Sequence, residues 1–226
     1  MNDIINVLGI KMDCLSAKEA MIRAIQFMEN DSVDTIEILS MRMLMDIQNE
    51  NNGSELAEGL TLLLPGVSEI LEAASVTDRR QIKETDNRTF LKMFMKYLQR
   101  NRKRVFLLAE TEEELRFQKE CINRYNKGIK MTGNAVVRAE DDRDEEIVNE
   151  INGTETDCII SVLSSPFQEQ FIKRNKPLLN VKVWFGCGSM LDKTYNEQKP
   201  LKKLRRFFLT KRFWSKVEKE QKESDS

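Results

Sequence analysis

Short apolar runs alternate with amphipathic stretches along most of the chain. Residues 4–10 are followed by an amphipathic stretch from Ser16, residues 35–39 by one from Met41, and residues 60–64 by one from Pro65. Strand-length apolar runs separated by amphipathic segments predict βαβ units, in which a parallel sheet is covered by helices. The alternation continues downstream. Residues 105–109 read as a strand before a helix from Thr111, a short strand follows near 128–132, residues 145–151 read as a helix, and residues 158–163 and 181–185 read as buried strands. Two helix starts are marked in the sequence itself: Ser16-Ala17-Lys18-Glu19 and Thr111-Glu112-Glu113-Glu114 fit the capping box, which satisfies orphan backbone amides. The polar stretches 49–53 and 138–145 read as solvated connections.

A length of 226 residues suits one sizeable core with an appendage. The α/β pattern runs over residues 1–192. From about Lys193 the chain turns basic with interleaved aromatics, so residues 193–226 read as a separate appendage. The 36 basic and 37 acidic residues nearly cancel, so no overall field points to nucleic acid. Four cysteines without a close pair favour a reducing compartment, and no apolar stretch approaches the length of a membrane span, so the expected location is cytoplasmic. The chain has no histidine, which excludes Ser-His triads and histidine metal sites and leaves carboxylates as the acid/base groups.

Within the appendage, residues 193–222 hold eleven lysines and arginines against three glutamates. On a helix, Leu201, Leu204 and Phe208 recur at spacings of three or four and form an apolar stripe flanked by cations, a composition suited to the headgroup region of an anionic membrane. The same stripe could instead pack on the α/β domain. No second basic patch supports nucleic-acid binding. Elsewhere, Asp141 to Glu146 reads as a solvated helix start, and Cys187 as a small buried hydrophobe with no histidine to activate it.

Ile159 to Glu169 carries the most specific chemistry: an apolar run ends in Ser164-Ser165-Pro166, then Phe167-Gln168-Glu169. With Pro166 at the first helical position, helix amides would open at the carboxyl edge of a parallel sheet, where phosphates bind; alternatively, Ser165 simply caps the helix. Residues 104–192, with Pro166, Gln168 and Glu169 in place of a Gly-x-Pro-x-Gln-Glu motif and Gly186, Gly188 and Asp192 at a glycine-rich strand end, resemble the WecG/TagA/CpsF glycosyltransferase family. The opening residues 5–21 resemble its first strand and helix more weakly.

The resemblance implies a Rossmann-like, mostly parallel sheet flanked by helices. It also implies metal-independent transfer of an N-acetylhexosamine, typically N-acetylmannosamine, from a UDP-sugar to an undecaprenyl-diphosphate-linked sugar in bacterial envelope or exopolysaccharide synthesis, with no cofactor. Ser165, Gln168, Glu169, Gly186 and Gly188 would then form the nucleotide wall. Arg205, Arg206 and Arg212 of the appendage would reach the lipid diphosphate, with the chain peripheral on the inner face of the cell membrane. The sequence departs from the family in its first half. Gly66 stands where the family has its general-base aspartate, Ile38 and Ser40 stand where it has a Thr-x-Asn pair, and Lys83 and Glu84 replace a Thr-Gly, while Asp86 keeps the acid. Glu69, three residues beyond Gly66, is the candidate substitute base. The alternative function is a catalytically inactive member that binds or regulates an active glycosyltransferase. The protein partners left open are a second copy of the chain and such a transferase.

Overall fold

The structure, a computed structural model, describes residues 3–188, 191 and 200–224, with the side chains of 3, 200–205 and 224 outside what is described. Its centre is a six-stranded sheet with every pairing parallel, in the order β4 (Leu62–Pro65), β3 (Asp34–Leu39), β8 (Val183–Gly186), β7 (Cys158–Ser161), β5 (Arg104–Ala109), β6 (Lys130–Val136). The alternation of strands and helices read from the sequence is this sheet and its cover. β3, β7 and β8 are buried throughout, as strands with helices on both faces must be.

Side chains alternate between the two faces, and the core divides accordingly. Ile36, Ile38, Leu62, Leu64 and Phe185 point to one face, against α1 (Ala17–Phe27) and α6 (Thr89–Arg100), where Phe94 is fully buried. Phe106, Ile159 and Trp184 point to the other, against α8 (Asp144–Gly153) and α9 (Phe167–Asn175). A third cluster joins Leu39 and Leu63 to α2 (Met41–Gln48) and α4 (Ser68–Ala73). The Ser16 capping box ahead of α1 forms in full, its hydroxyl accepting from Glu19 N and the Glu19 carboxylate accepting from Ser16 N at 2.9 Å. At Thr111, which caps α7 (Glu112–Tyr125), the hydroxyl accepts from Glu114 N and donates to Glu114 Oε2 at 3.1 Å.

Two local expectations are corrected. Residues 4–10 are not one strand: β1 (Asp3–Val7) turns at Leu8 and Gly9 into β2 (Ile10–Cys14), a separate antiparallel pair. Leu8 (φ 55°) and Gly9 (φ 73°) are both left-handed, the conformation of a two-residue hairpin turn. Leucine is costly there, and its side chain offsets the strain by burial in the third cluster. Pro166 does not open the first turn of α9. It occupies the capping position after a cis Ser165–Pro166 bond, and no side chain caps the helix.

The C-terminal segment forms the long helix α10 (Pro200–Ser224). Phe213 and Val217 are buried in the third cluster, with Leu209 and Trp214 packed beside them. The seam that packs therefore runs through Leu209, Phe213 and Val217, one turn apart on a helix. It is a different stripe from that of Leu201, Leu204 and Phe208. Phe208 is exposed, while the side chains of Leu201 and Leu204 lie outside the described residues. Glu220 of α10 accepts the Leu8 amide at 2.9 Å, so the helix also fastens the hairpin turn.

Candidate functional site

A cleft opens where β3 and β4 end, a usual ligand position in parallel α/β sheets. It encloses about 480 Å³, part of it open to solvent. Ile38, Leu64 and Gly66 form its sheet side, Ala17 and Ala20 of α1 one wall, and Arg88, Phe90 and Leu91 at the start of α6 the other. The backbone at Gly66 is pinned by its amide, which donates to Leu39 O at 2.8 Å. Two of the positions that the sequence marked as changed, Ile38 and Gly66, thus face this cleft and make it apolar where the resemblance expects polar groups. Ser40 does not line it; it caps α2, its hydroxyl accepting from Met43 N.

Among the described residues, Glu84 is the one carboxylate that lines the cleft. It belongs to α5 (Arg79–Asp86), and both its oxygens are occupied: Oε2 accepts from Ala17 N at 2.9 Å and Oε1 from Arg80 Nε at 3.0 Å. The glutamate, which stands where the resemblance expects a glycine, thereby ties α5 to the start of α1.

The rim carries the charges. Glu69, in the first turn of α4, does not line the cleft. Its Oε1 accepts from Arg206 of α10 at 2.9 Å, while Oε2 is buried without a partner. Arg88 precedes α6 in a left-handed conformation (φ 50°, ψ 44°) that brings its half-buried side chain to the cleft. Burial, and then the nearby charge of Arg206, hold the Arg88 guanidinium below the usual arginine range, partly countered by Asp86. Asp86 itself, the last residue of α5, is exposed. Arg212 is also exposed, and the Arg205 side chain lies outside the described residues.

Ser165, Gln168, Glu169 and Gly186 come together elsewhere, on the opposite face of the sheet. Glu37, Gly186 and Ser161 form one row across β3, β8 and β7. Gly186 has no side chain in that row, and the Gln168 amide fills the space: a Cβ on Gly186 would lie 2.6 Å from Gln168 Nε2. The Ser165 hydroxyl donates to Glu169 Oε1 at 2.5 Å, and Glu37 faces Glu169. All are buried, Gln168 at 0% and Glu37 and Glu169 at 1% exposure. Gln168 lies beside Glu37 and favours its charged form, but a bond between the two carboxyls themselves forms only when one holds a proton. Burial, reinforced for Glu37 by the Glu169 charge, raises both above the usual carboxylate range.

In this structure the side chains of Ser165, Gln168 and Glu169 form an interior brace under the strand ends. The amide of Ser164, at the strand end itself, is already taken by Glu110 Oε1 at 2.5 Å. Gly188, left-handed at φ 45°, packs near Met43, which a Cβ would approach to 3.0 Å. Asp192 lies outside the described residues.

The sequence reading missed Glu37 and Arg88, and named Glu84 only as a replaced position. A glutamate within the apolar run Thr35-Ile36-Glu37-Ile38-Leu39 was the available signal for the first. Nothing local announces that Arg88 reaches the cleft. Among the described residues, no three Cys, Asp or Glu side chains are grouped to hold a metal ion. None of the four cysteines is in a disulfide. No helix among the described residues is long and apolar enough to cross a membrane. No curated protein matches the chain. The profile of the Glycosyl transferase WecG/TagA/CpsF family matches residues 5–200, which takes in the cleft, the buried brace and every strand but ends where α10 begins.

Proposed function

We propose, from the premise that this chain belongs to the glycosyl transferase WecG/TagA/CpsF family, that it acts in bacterial envelope or exopolysaccharide synthesis. In this reading it takes a UDP-N-acetylhexosamine, N-acetylmannosamine-like, as donor and an undecaprenyl-diphosphate-linked sugar as acceptor, without a cofactor. The observation that carries the proposal is the cleft at the carboxyl ends of β3 and β4, lined by Arg88 and spanned by the family match. The apolar wall of Ile38, Leu64 and Leu91 suits the acetamido and ring faces of a hexosamine, while Arg88 suits an anion.

One observation favours a second reading, that of a non-catalytic partner of an active transferase. An acceptor hydroxyl attacking an anomeric carbon must lose its proton, and a positioned base is worth roughly 10²–10⁴-fold in such a step. Here Gly66 supplies no carboxylate, Glu84 has both oxygens engaged, and Glu69 is paired with Arg206. Calorimetry with UDP, run beside a UDP-release assay with donor and lipid-linked acceptor, decides between the readings. Acceptor-dependent UDP release establishes transfer and overturns the partner reading; tight UDP binding without release favours the partner; absence of UDP binding overturns the transferase reading.

A further inference from the structure

The two edges of the six-stranded sheet differ in how they meet solvent. At the β4 edge the outward backbone positions are closed. The Gly66 amide turns inward to Leu39 O of β3, so by alternation Leu63 and Pro65 face outward. Proline has no N–H to offer, and the Leu63 amide donates to Asp13 Oδ2 of the β1–β2 pair at 3.3 Å. An open strand edge is a template for pairing with another chain, and here a proline and an inserted carboxylate guard against it.

The β6 edge has no such guard. β6 ends the sheet, and no strand among the described residues pairs with its outer side. The Val137 amide donates inward to Ala109 O of β5 at 2.9 Å, so Asn134 and Val136 present their N–H and C=O groups outward. Residues 131–137 include neither a charge nor a proline. The register shifts at Thr132, whose hydroxyl donates to Val105 O at 3.1 Å, which leaves 133–137 as the regular part of the edge.

The flanking charges identify the partner that fits. Lys127 and Lys130 precede the uncharged run, both exposed, and Glu140, Asp141 and Asp142 follow it. A parallel guest strand of the same sequence would set like charges side by side. An antiparallel one sets each basic end against an acidic end, and two-fold symmetry repeats the match. The same charges choose the register. Centred on Ala135, it pairs Asn134 with Val136 of the partner subunit, both outward, and brings Lys130 toward Glu140 of the partner subunit. Centred on Asn134, it would set Lys130 against Arg138 of the partner subunit. Alanine at the axis also suits the close approach of a non-hydrogen-bonded pair.

We propose that the outer edge of β6 is a homodimer interface, at which β6 pairs antiparallel with β6 of a second copy and the two sheets become one. β6 lies at the far end of the sheet from β3 and β4, so the cleft stays open in the dimer. Nothing in this pairing depends on what the cleft binds.

The test is sedimentation velocity of the full-length protein over a concentration series. A strand edge buries little area, so a dimer of twice 26.4 kDa is expected to dissociate in the micromolar range, about 1–100 μM. Asn134→Pro removes an outward N–H and spares the inward bonds to β5. It is expected to keep the wild-type melting temperature within about 2 °C and to raise the dissociation constant about tenfold or more. Lys130→Glu and Glu140→Lys are each expected to weaken the dimer about tenfold, and the two together to restore it, because each pair only changes sign. Should Asn134→Pro unfold, the charge exchange decides alone. A monomer at every concentration up to about 100 μM overturns the proposal. So does a dimer that a folded Asn134→Pro leaves unchanged, or charge variants that fail to rescue each other. A dimer lost instead through Phe207→Ser, Phe208→Ser lies on α10 and overturns it as well.

Discussion

Glu37 and Glu169 set the residue-scale question, since a fold seldom buries two carboxyls side by side. Their raised pKa values have a definite consequence for stability. A carboxyl whose folded pKa lies above its unfolded value holds its proton longer in the folded state, so its contribution is full below the ordinary carboxylate range and is lost as pH rises through the folded value. Glutamine copies the protonated form. Glu37→Gln is therefore expected to be more stable than wild type at pH 7–8 and to lose that advantage as pH falls below about 4.3, the ordinary Glu value. Urea unfolding at both pH values measures this, and a variant destabilised equally at both would remove the shared proton from the account. This brace was half legible in the sequence. The motif grouped Gln168, Glu169 and Gly186 correctly in space, yet it could not say that they face inward. That depends on the Glu37–Gly186–Ser161 register, which only strand pairing sets.

At the scale of elements, the strands and their order of appearance were readable because burial on both faces forces continuous apolar runs. The β1–β2 hairpin was not, because Leu8-Gly9 lacks the Asn-Gly or Asp-Gly signature and the apolar character runs straight through it. Helix α10 was legible as a basic amphipathic helix but not as a docked one. Its docking seam of Leu209, Phe213 and Val217 becomes distinguishable from the stripe through Leu204 and Phe208 only once the third cluster is there to receive it. Phe213 is fully buried in that cluster, whose other members come from residues 5–71 and Val217. Phe213→Ala is accordingly expected to cost about 3–5 kcal/mol, the usual range for truncating a buried phenylalanine. It should do so by loosening the hairpin together with the helix, since Glu220 holds the Leu8 amide. Urea denaturation gives the first quantity. Amide exchange at Leu8 reports the second, and protection there unchanged from wild type would separate the hairpin from the helix.

At the scale of the whole molecule, one end gathers the features that meet an interface. The start of α10 brings Arg206 to the cleft rim, and the next two residues, Phe207 and Phe208, are 62% and 61% exposed and pack edge to face against each other. Lys211 and Arg212 are exposed one turn further on. Paired aromatics in water lose the burial that would make them favourable, and cations beside them are drawn to an anionic leaflet by about 1 kcal/mol each. Burial of Phe213 and Val217 uses the opposite side of the helix, so packing on the fold and docking on a bilayer do not compete for the same residues. Removing the whole appendage would expose the third cluster and confound any binding assay, whereas the exposed pair can be changed alone. The double variant Phe207→Ser, Phe208→Ser is expected to keep the wild-type melting temperature within about 2 °C, the small effect usual for surface positions. It is also expected to lose most co-sedimentation with vesicles containing anionic lipid at low salt. Binding of wild type should fall as salt rises, because the cations share the attraction and are screened. Equal sedimentation of variant and wild type would mean that these rings face something other than lipid.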